Sequence, residues 1–191
     1  MHARSRAAPY SSGILRRARF AVSICFFIPG AGTGVWAVHI PLVQARLGID
    51  PAVLGLALFT MAIGAVATMP LTGLALARFG SRLPTQVLGL AFPIVFPLAI
   101  LAPTTPLLFA SLFFFGAALG GLDVAMNTQA TEVEAGRGRP TMSSFHGFFS
   151  VGALSGAGIG SPILAIGWGN GSGAAAVAVR SSSWRWRSGP P

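Results

Sequence analysis

Asp123 and Asn127 stand four residues apart inside a long apolar stretch, Gly120-Gly121-Leu122-Asp123-Val124-Ala125-Met126-Asn127. A carboxylate placed in hydrocarbon costs roughly 3 kcal/mol on insertion scales, so such residues mark ion or substrate pathways or are paired. A four-residue spacing puts both side chains on one helix face, where the amide can hydrogen-bond the acid or a polar substrate. An acid in this setting can take up and release a proton during a transport cycle. It can equally serve as a structural hydrogen-bonding group, and both readings stay open. Asp123 lies ~24 Å along its helix at 1.5 Å per residue, near one end, within reach of water. His39 and His146 are further candidates, each able to titrate near neutral pH. Both fall near the ends of apolar stretches, where a histidine is often an ordinary hydrogen-bonding residue. Trp36 can line a cavity or pack at an interface, where Trp is enriched. Gln44 and Gln129 complete the polar groups open to a substrate, and Glu132 and Glu134 are expected to balance Arg137 and Arg139.

Nothing else in the chain suggests covalent chemistry. There is no Cys/His spacing suited to a metal and no glycine loop leading to a lysine. No enzyme activity and no cofactor are expected. Cys25 is the only cysteine, so an intrachain disulfide is excluded.

The elements that carry these residues follow from composition. Of 191 residues 53% are hydrophobic and 9% charged, with a mean hydropathy of +0.70. A soluble domain carries about 25% charged residues, so this chain cannot cover a water-facing surface. A spanning helix needs ~20 apolar residues, and five stretches qualify: 20–42, 53–76, 85–102, 107–130 and 144–167. The fold class expected is an all-α, polytopic membrane helix bundle of about five transmembrane helices, with the lipid bilayer as its first partner. Pro29 and the nearby glycines would ruin a soluble helix, but transmembrane helices tolerate them. A loop is expected from Val43 to Ala52, ended by Asp50 as a cap and Pro51 in the first turn. Pro93 and Pro97 should interrupt the third span, Pro103 to Pro106 should form a tight hairpin, and Thr131 to Ser143 should form a polar loop.

The net charge is +9, from thirteen arginines and four acids. In a nucleic-acid-binding protein arginines would line a basic face with aromatics between them. Here they flank the spans, so nucleic acid is not an expected partner. Five precede the first span, and with Arg78, Arg82, Arg137 and Arg139 nine fall on one side of the membrane, against Arg46 on the other. The positive-inside rule therefore puts the N-terminus, residues 1–19, in the cytoplasm. Residues 168–191, rich in Gly, Ser and Arg, are expected to be a disordered tail, and a shifted reading frame is one explanation for it.

Small residues recur every fourth position at Thr60, Gly64, Thr68 and Thr72, at Gly116 and Gly120, and at Gly152, Gly156 and Gly160. Such stripes let helix backbones approach closely in lipid.

Between the second and third spans the chain reads Gly73-Leu-Ala-Leu-Ala77-Arg78-Phe-Gly80-Ser-Arg82. This resembles the signature loop of the major facilitator superfamily, Gly-x-x-x-Asp-Arg-x-Gly-Arg-Arg/Lys, in its usual place. Gly73 is expected to allow close packing at the helix end, Gly80 to take a positive φ, and Arg78 and Arg82 to hold the loop inside. Pro41, Gly48, Asp50, Gly55, Gly64 and Pro70 follow the family's spacing, and the resemblance covers about residues 20 to 165. Gly120 to Asn127 resembles the fourth helix of fucose–proton symporter-like members. Ser143-Ser144-Phe145-His146-Gly147 is similar to the fifth span of bacterial inner-membrane facilitators of poorly defined substrate. Two positions depart from the pattern. The family's loop acid, which helps latch the cytoplasmic gate, is Ala77 here, and the acid that sugar–proton symporters carry in span one is Ala37.

The resemblance implies alternating-access transport of a small solute, with protons as a candidate coupling ion, in a bacterial inner membrane. Family members carry twelve spans as two six-helix halves. Five spans correspond to part of the N-terminal half, so the sequence reads as a truncated chain that does not transport alone. The alternatives are an inactive remnant and a small scaffold whose glycine stripes form the interface.

Overall fold

A computed structural model describes residues 12–165. These form α1 (Ser12–Leu47), α2 (Pro51–Phe79), α3 (Arg82–Leu101), α4 (Thr105–Arg137) and α5 (Met142–Ala165), with no strand among the described residues. Four of them, α1 to α4, are long and apolar enough to cross a membrane. The fifth, α5, has 24 residues and packs along α1. The tail expected at 168–191, and the last two residues of the fifth span, lie outside the described residues, as do residues 1–11 of the basic N-terminus.

The helices outrun the apolar stretches. α1 has 36 residues, about 54 Å at 1.5 Å per residue, against a hydrocarbon layer of ~30 Å. Its helix continues through the first five residues of the expected 43–52 loop, leaving only Gly48, Ile49 and Asp50 as the turn. Likewise α4 runs on through most of the expected 131–143 loop, and the chain breaks only at Gly138 to Thr141. Hydropathy locates where the bilayer ends, but a helix that has begun loses nothing by continuing into water. Pro93 and Pro97 lie within an unbroken α3 rather than interrupting it. The hairpin near Pro103 is tighter than expected, because Thr105 and Pro106 already belong to the first turn of α4.

Turn chemistry accounts for the breaks. The Asp50 carboxylate accepts from the N–H groups of Ala52 (2.8 Å) and Val53 (3.0 Å), capping α2 as expected. Gly80 closes α2 with φ +73° and ψ 177°, its N–H donating to Leu76 O at 2.9 Å. That region is open essentially only to glycine. On the opposite side of the bundle Arg46 donates to the carbonyls of Ile100 and Ala102, which the end of α3 leaves without helical partners.

Two helix pairs dominate the packing, α1 with α5 and α2 with α4, and they use the same device. A Cβ added at Gly152 or Gly156 would collide with the backbone of Phe27 or Ala31 on α1; one added at Gly30 or Gly34 would collide with Phe149 or Ala153 on α5. In the second pair Gly64 abuts the Phe113 carbonyl, Gly116 the Met61 carbonyl, and Gly120 the Cα of Ala65. The fourfold-spaced stripes are thus occupied inside the chain. The interface that the scaffold alternative requires of them is already in use between helices of one copy. The matching stripe in α1, Gly30 and Gly34, has the same spacing and belongs with the others. Between the pairs sits an aromatic core, with Phe92 stacked on Phe96 and both rings packed against Phe115.

Candidate functional site

The acid and amide singled out in α4 do meet. Asn127 Nδ2 donates to Asp123 Oδ1 at 3.1 Å and to the Asp123 carbonyl at 2.8 Å. Thr131, one further turn along, donates its hydroxyl to the Asn127 carbonyl at 3.0 Å. Asp123, Asn127, Thr131 and Glu134 recur at three- and four-residue spacing, so they form one polar track along α4. Asp123, Asn127 and Glu134 are half-buried and Thr131 is exposed, so the other described residues cover this face only in part. The neighbouring face, with Leu122, Ala125 and Met126, is buried. The polar track is thus held at a helix surface whose other side is locked into the core.

The track ends at the α4–α5 junction. Glu134 Oε2 accepts from the backbone N–H of Thr141 and, at 2.6 Å, from that of Met142. Those two backbone bonds hold the carboxyl below the usual glutamate range, and a negative charge suits the start of a helix. Glu132 accepts from the Ser81 hydroxyl at 2.9 Å, joining α4 to the α2–α3 turn. The two glutamates therefore serve as hydrogen-bond acceptors that brace loops, at the same end of α4 as Arg137.

The other candidates are dispersed. His39 is half-buried on α1, its Nδ1–H donating to the Val35 carbonyl at 2.7 Å. His146 is exposed, with its ring edge-on to Phe26 at 5.3 Å. Trp36 is 3% exposed and packs edge-on against Phe115 at 6.2 Å, which makes it part of the aromatic core rather than a cavity wall. In the loop motif Gly73, Arg78, Gly80 and Arg82 are all exposed. Gly80 has the positive φ expected of it. A Cβ on Gly73 would meet nothing within 4 Å, so among the described residues no helix packs closely against it. Arg78 lies over the Phe79 ring at 5.4 Å.

A bundle of long apolar helices joined by short capped turns, with a polar track along one of them, is a multi-pass membrane protein. Residues 22–188 match the profile described as Major Facilitator Superfamily, and the chain belongs to that superfamily. It is 44% identical over 144 residues to an uncharacterized MFS-type transporter of Yersinia pestis, covering 75% of this chain and 38% of the relative. It is 38% identical over 136 residues to an uncharacterized transporter of Sinorhizobium fredii, covering 71% and 36%. It is also 38% identical over 136 residues to the membrane protein MosC of Rhizobium meliloti, covering 71% and 33%. The chain thus spans little more than a third of the length of the curated relatives it matches. No solved structure matches it significantly.

Proposed function

We propose that these helices form part of the wall of a solute pathway that works by alternating access, the mechanism in which packed helix bundles rock about a central site. Membership of the superfamily supports this reading, and the single structural observation that carries it is the half-buried polar track headed by the Asp123–Asn127 pair. In this reading Asp123 exchanges a proton with the pathway, Asn127 orients its carboxylate, and a small polar solute is the cargo. His146 and His39 are secondary proton or substrate groups, and Trp36 shapes the bundle behind the pathway. The loop of Gly73, Arg78, Gly80 and Arg82 faces the cytoplasm of a bacterial cell, with the N-terminus on the same side of the inner membrane.

The test is split-transporter uptake. The chain is reconstituted in proteoliposomes together with the part of the Yersinia pestis relative beyond the aligned segment. A panel of labelled sugars and other small polar solutes is then offered under an inward proton gradient. Gradient-driven accumulation of at least one solute is expected, and Asp123→Asn should abolish it. Accumulation that survives Asp123→Asn removes the proton role, and no accumulation across the panel removes the transport reading.

A further inference from the structure

Helix α1 is weakened near its midpoint. Pro29 stands close to the middle of its 36 residues, about 14 Å beyond Phe20 and so near the centre of a ~30 Å hydrocarbon layer. A proline has no N–H, so the Cys25 carbonyl loses the donor that a regular helix would supply. Thr33 donates its hydroxyl to the Pro29 carbonyl at 2.8 Å, a back-bond that loosens and bends helices. Gly30, Gly32 and Gly34 follow, each up to about 1 kcal/mol poorer than alanine in helix propensity. The facing stretch of α5 carries Gly152, Gly156 and Gly158, and the first two meet α1 at Phe27 and Ala31. By contrast, α4 carries a proline only in its first turn.

On either side of this level α1 holds different partners. Its C-terminal arm is fixed to α3 and α4: Trp36 packs on Phe115, and Arg46 bonds the Ile100 and Ala102 carbonyls. In the N-terminal arm the buried Phe26 stacks on Phe145 at 5.7 Å and meets His146 edge-on, both at the head of α5. We infer that α1 and α5 share a joint at the level of Pro29, about which the N-terminal arm of α1 and the head of α5 swing together against α2, α3 and α4. Hinges are a few residues that absorb a large backbone change, and the glycines on both sides of the seam let the two helices bend while keeping contact. The bonds from Thr141 and Met142 to Glu134 close this unit onto the end of α4 and oppose the swing. The arm, residues 12–28, is about 25 Å long, so a proline bend of about 20° displaces its tip by about 9 Å. The inference rests on the two helices themselves and not on the transport reading.

Spin labels on the whole chain in nanodiscs supply the test, read by double electron–electron resonance, with Cys25→Ser removing the chain's only native thiol. Gly13 and Gly147 are open positions on the two moving helices, and the exposed Ala77, on α2, is the fixed reference. Gly13→Cys with Ala77→Cys should give distances spread over up to about 9 Å, and Gly147→Cys with Ala77→Cys should broaden alongside it. Ala45→Cys with Leu56→Cys, which reports the C-terminal arm, should give a narrow distribution. Pro29→Ala restores the missing N–H and should narrow both broad pairs to the width of the third, while Pro93→Ala in α3 should leave them broad. Glu134→Ala, which releases the head of α5, should widen them. A Gly13 pair that stays broad in Pro29→Ala reports an arm loosened by fraying or by open surroundings, and overturns the inference. Distributions as narrow as the third from the outset also overturn it, as does a broad Gly13 pair beside a narrow Gly147 pair.

Discussion

Gly156 and Gly158 lie two residues apart on α5 and face opposite ways, which makes them a matched pair for measuring what the close approach of α1 and α5 contributes. A Cβ on Gly158 meets nothing within 4 Å, whereas one on Gly156 would lie 2.8 Å from the carbonyl carbon of Ala31 and 2.9 Å from its Cα. Carbon–carbon contacts sit at about 3.5–4.0 Å, so Gly156→Ala forces the two helices apart by roughly 1 Å. A gap of that size forfeits up to about half of each dispersion well along the seam, and overpacking of this kind costs about 1–3 kcal/mol. Both substitutions gain the same helix propensity, up to about 1 kcal/mol for Ala over Gly. That gain cancels in the comparison, and the difference between the variants isolates the packing. Gly156→Ala should therefore be less stable than Gly158→Ala by about 1–3 kcal/mol, read from steric-trapping or detergent unfolding of the purified chain in mixed micelles. Equal stabilities, or a greater loss at Gly158, would show that the α1–α5 seam does not depend on backbone contact and would refute the reasoning.

Four further outcomes follow from the turns and caps. Glu134 has a folded-state pKa below its unfolded value, so its contribution is present above the ordinary glutamate range and is lost as pH falls through the folded pKa. Glu134→Gln should accordingly flatten the acid limb of a stability–pH profile and leave stability above that limb lower than in the parent chain. Asp50→Ala removes the α2 cap and should cost about 1 kcal/mol, with Asp50→Asn restoring most of it; unfolding midpoints of the three proteins decide this. Gly80→Ala places a side chain at φ +73° and should cost about 1–3 kcal/mol, with loosened hydrogen-exchange protection confined to the α2–α3 turn. Arg46→Ala frees the α3 carbonyls it binds and should cost about 1 kcal/mol, with faster exchange at the last turn of α3 as the local readout.

The membrane class was legible because hydrophobicity integrates over twenty residues and tolerates local exceptions. Superfamily membership was legible because the Gly73–Arg82 loop sits where a turn must fall between two spans. Asp50 and Gly80 were readable individually, since capping and positive φ are local demands that a residue type answers directly. Helix ends were not, because the sequence marks the edge of the bilayer while the backbone stops only where a Gly48 or a Gly138 lets it turn. The role of Gly73 was not legible for a related reason: a glycine near a helix end can satisfy packing or simply face outward, and only the neighbouring helix decides. Of the candidate site, the Asp123–Asn127 contact followed from spacing alone. The use of Glu134 as a cap for α5 did not, because it depends on how the chain reverses at Gly138 to bring Thr141 back onto α4. Trp36 became core because Phe115, nearly eighty residues on, fills the space beside it.

The seam between α1 and α5 also sets a timetable for biogenesis. Gly30 meets Phe149 and Gly34 meets Ala153, partners separated by about 120 residues. At a synthesis rate of about 5–20 residues per second, the first helix waits roughly 6–24 s in the membrane before its partner is made. Throughout that interval its glycine face, notched to the shape of a backbone that does not yet exist, is open to lipid, to the insertion machinery or to the wrong helix.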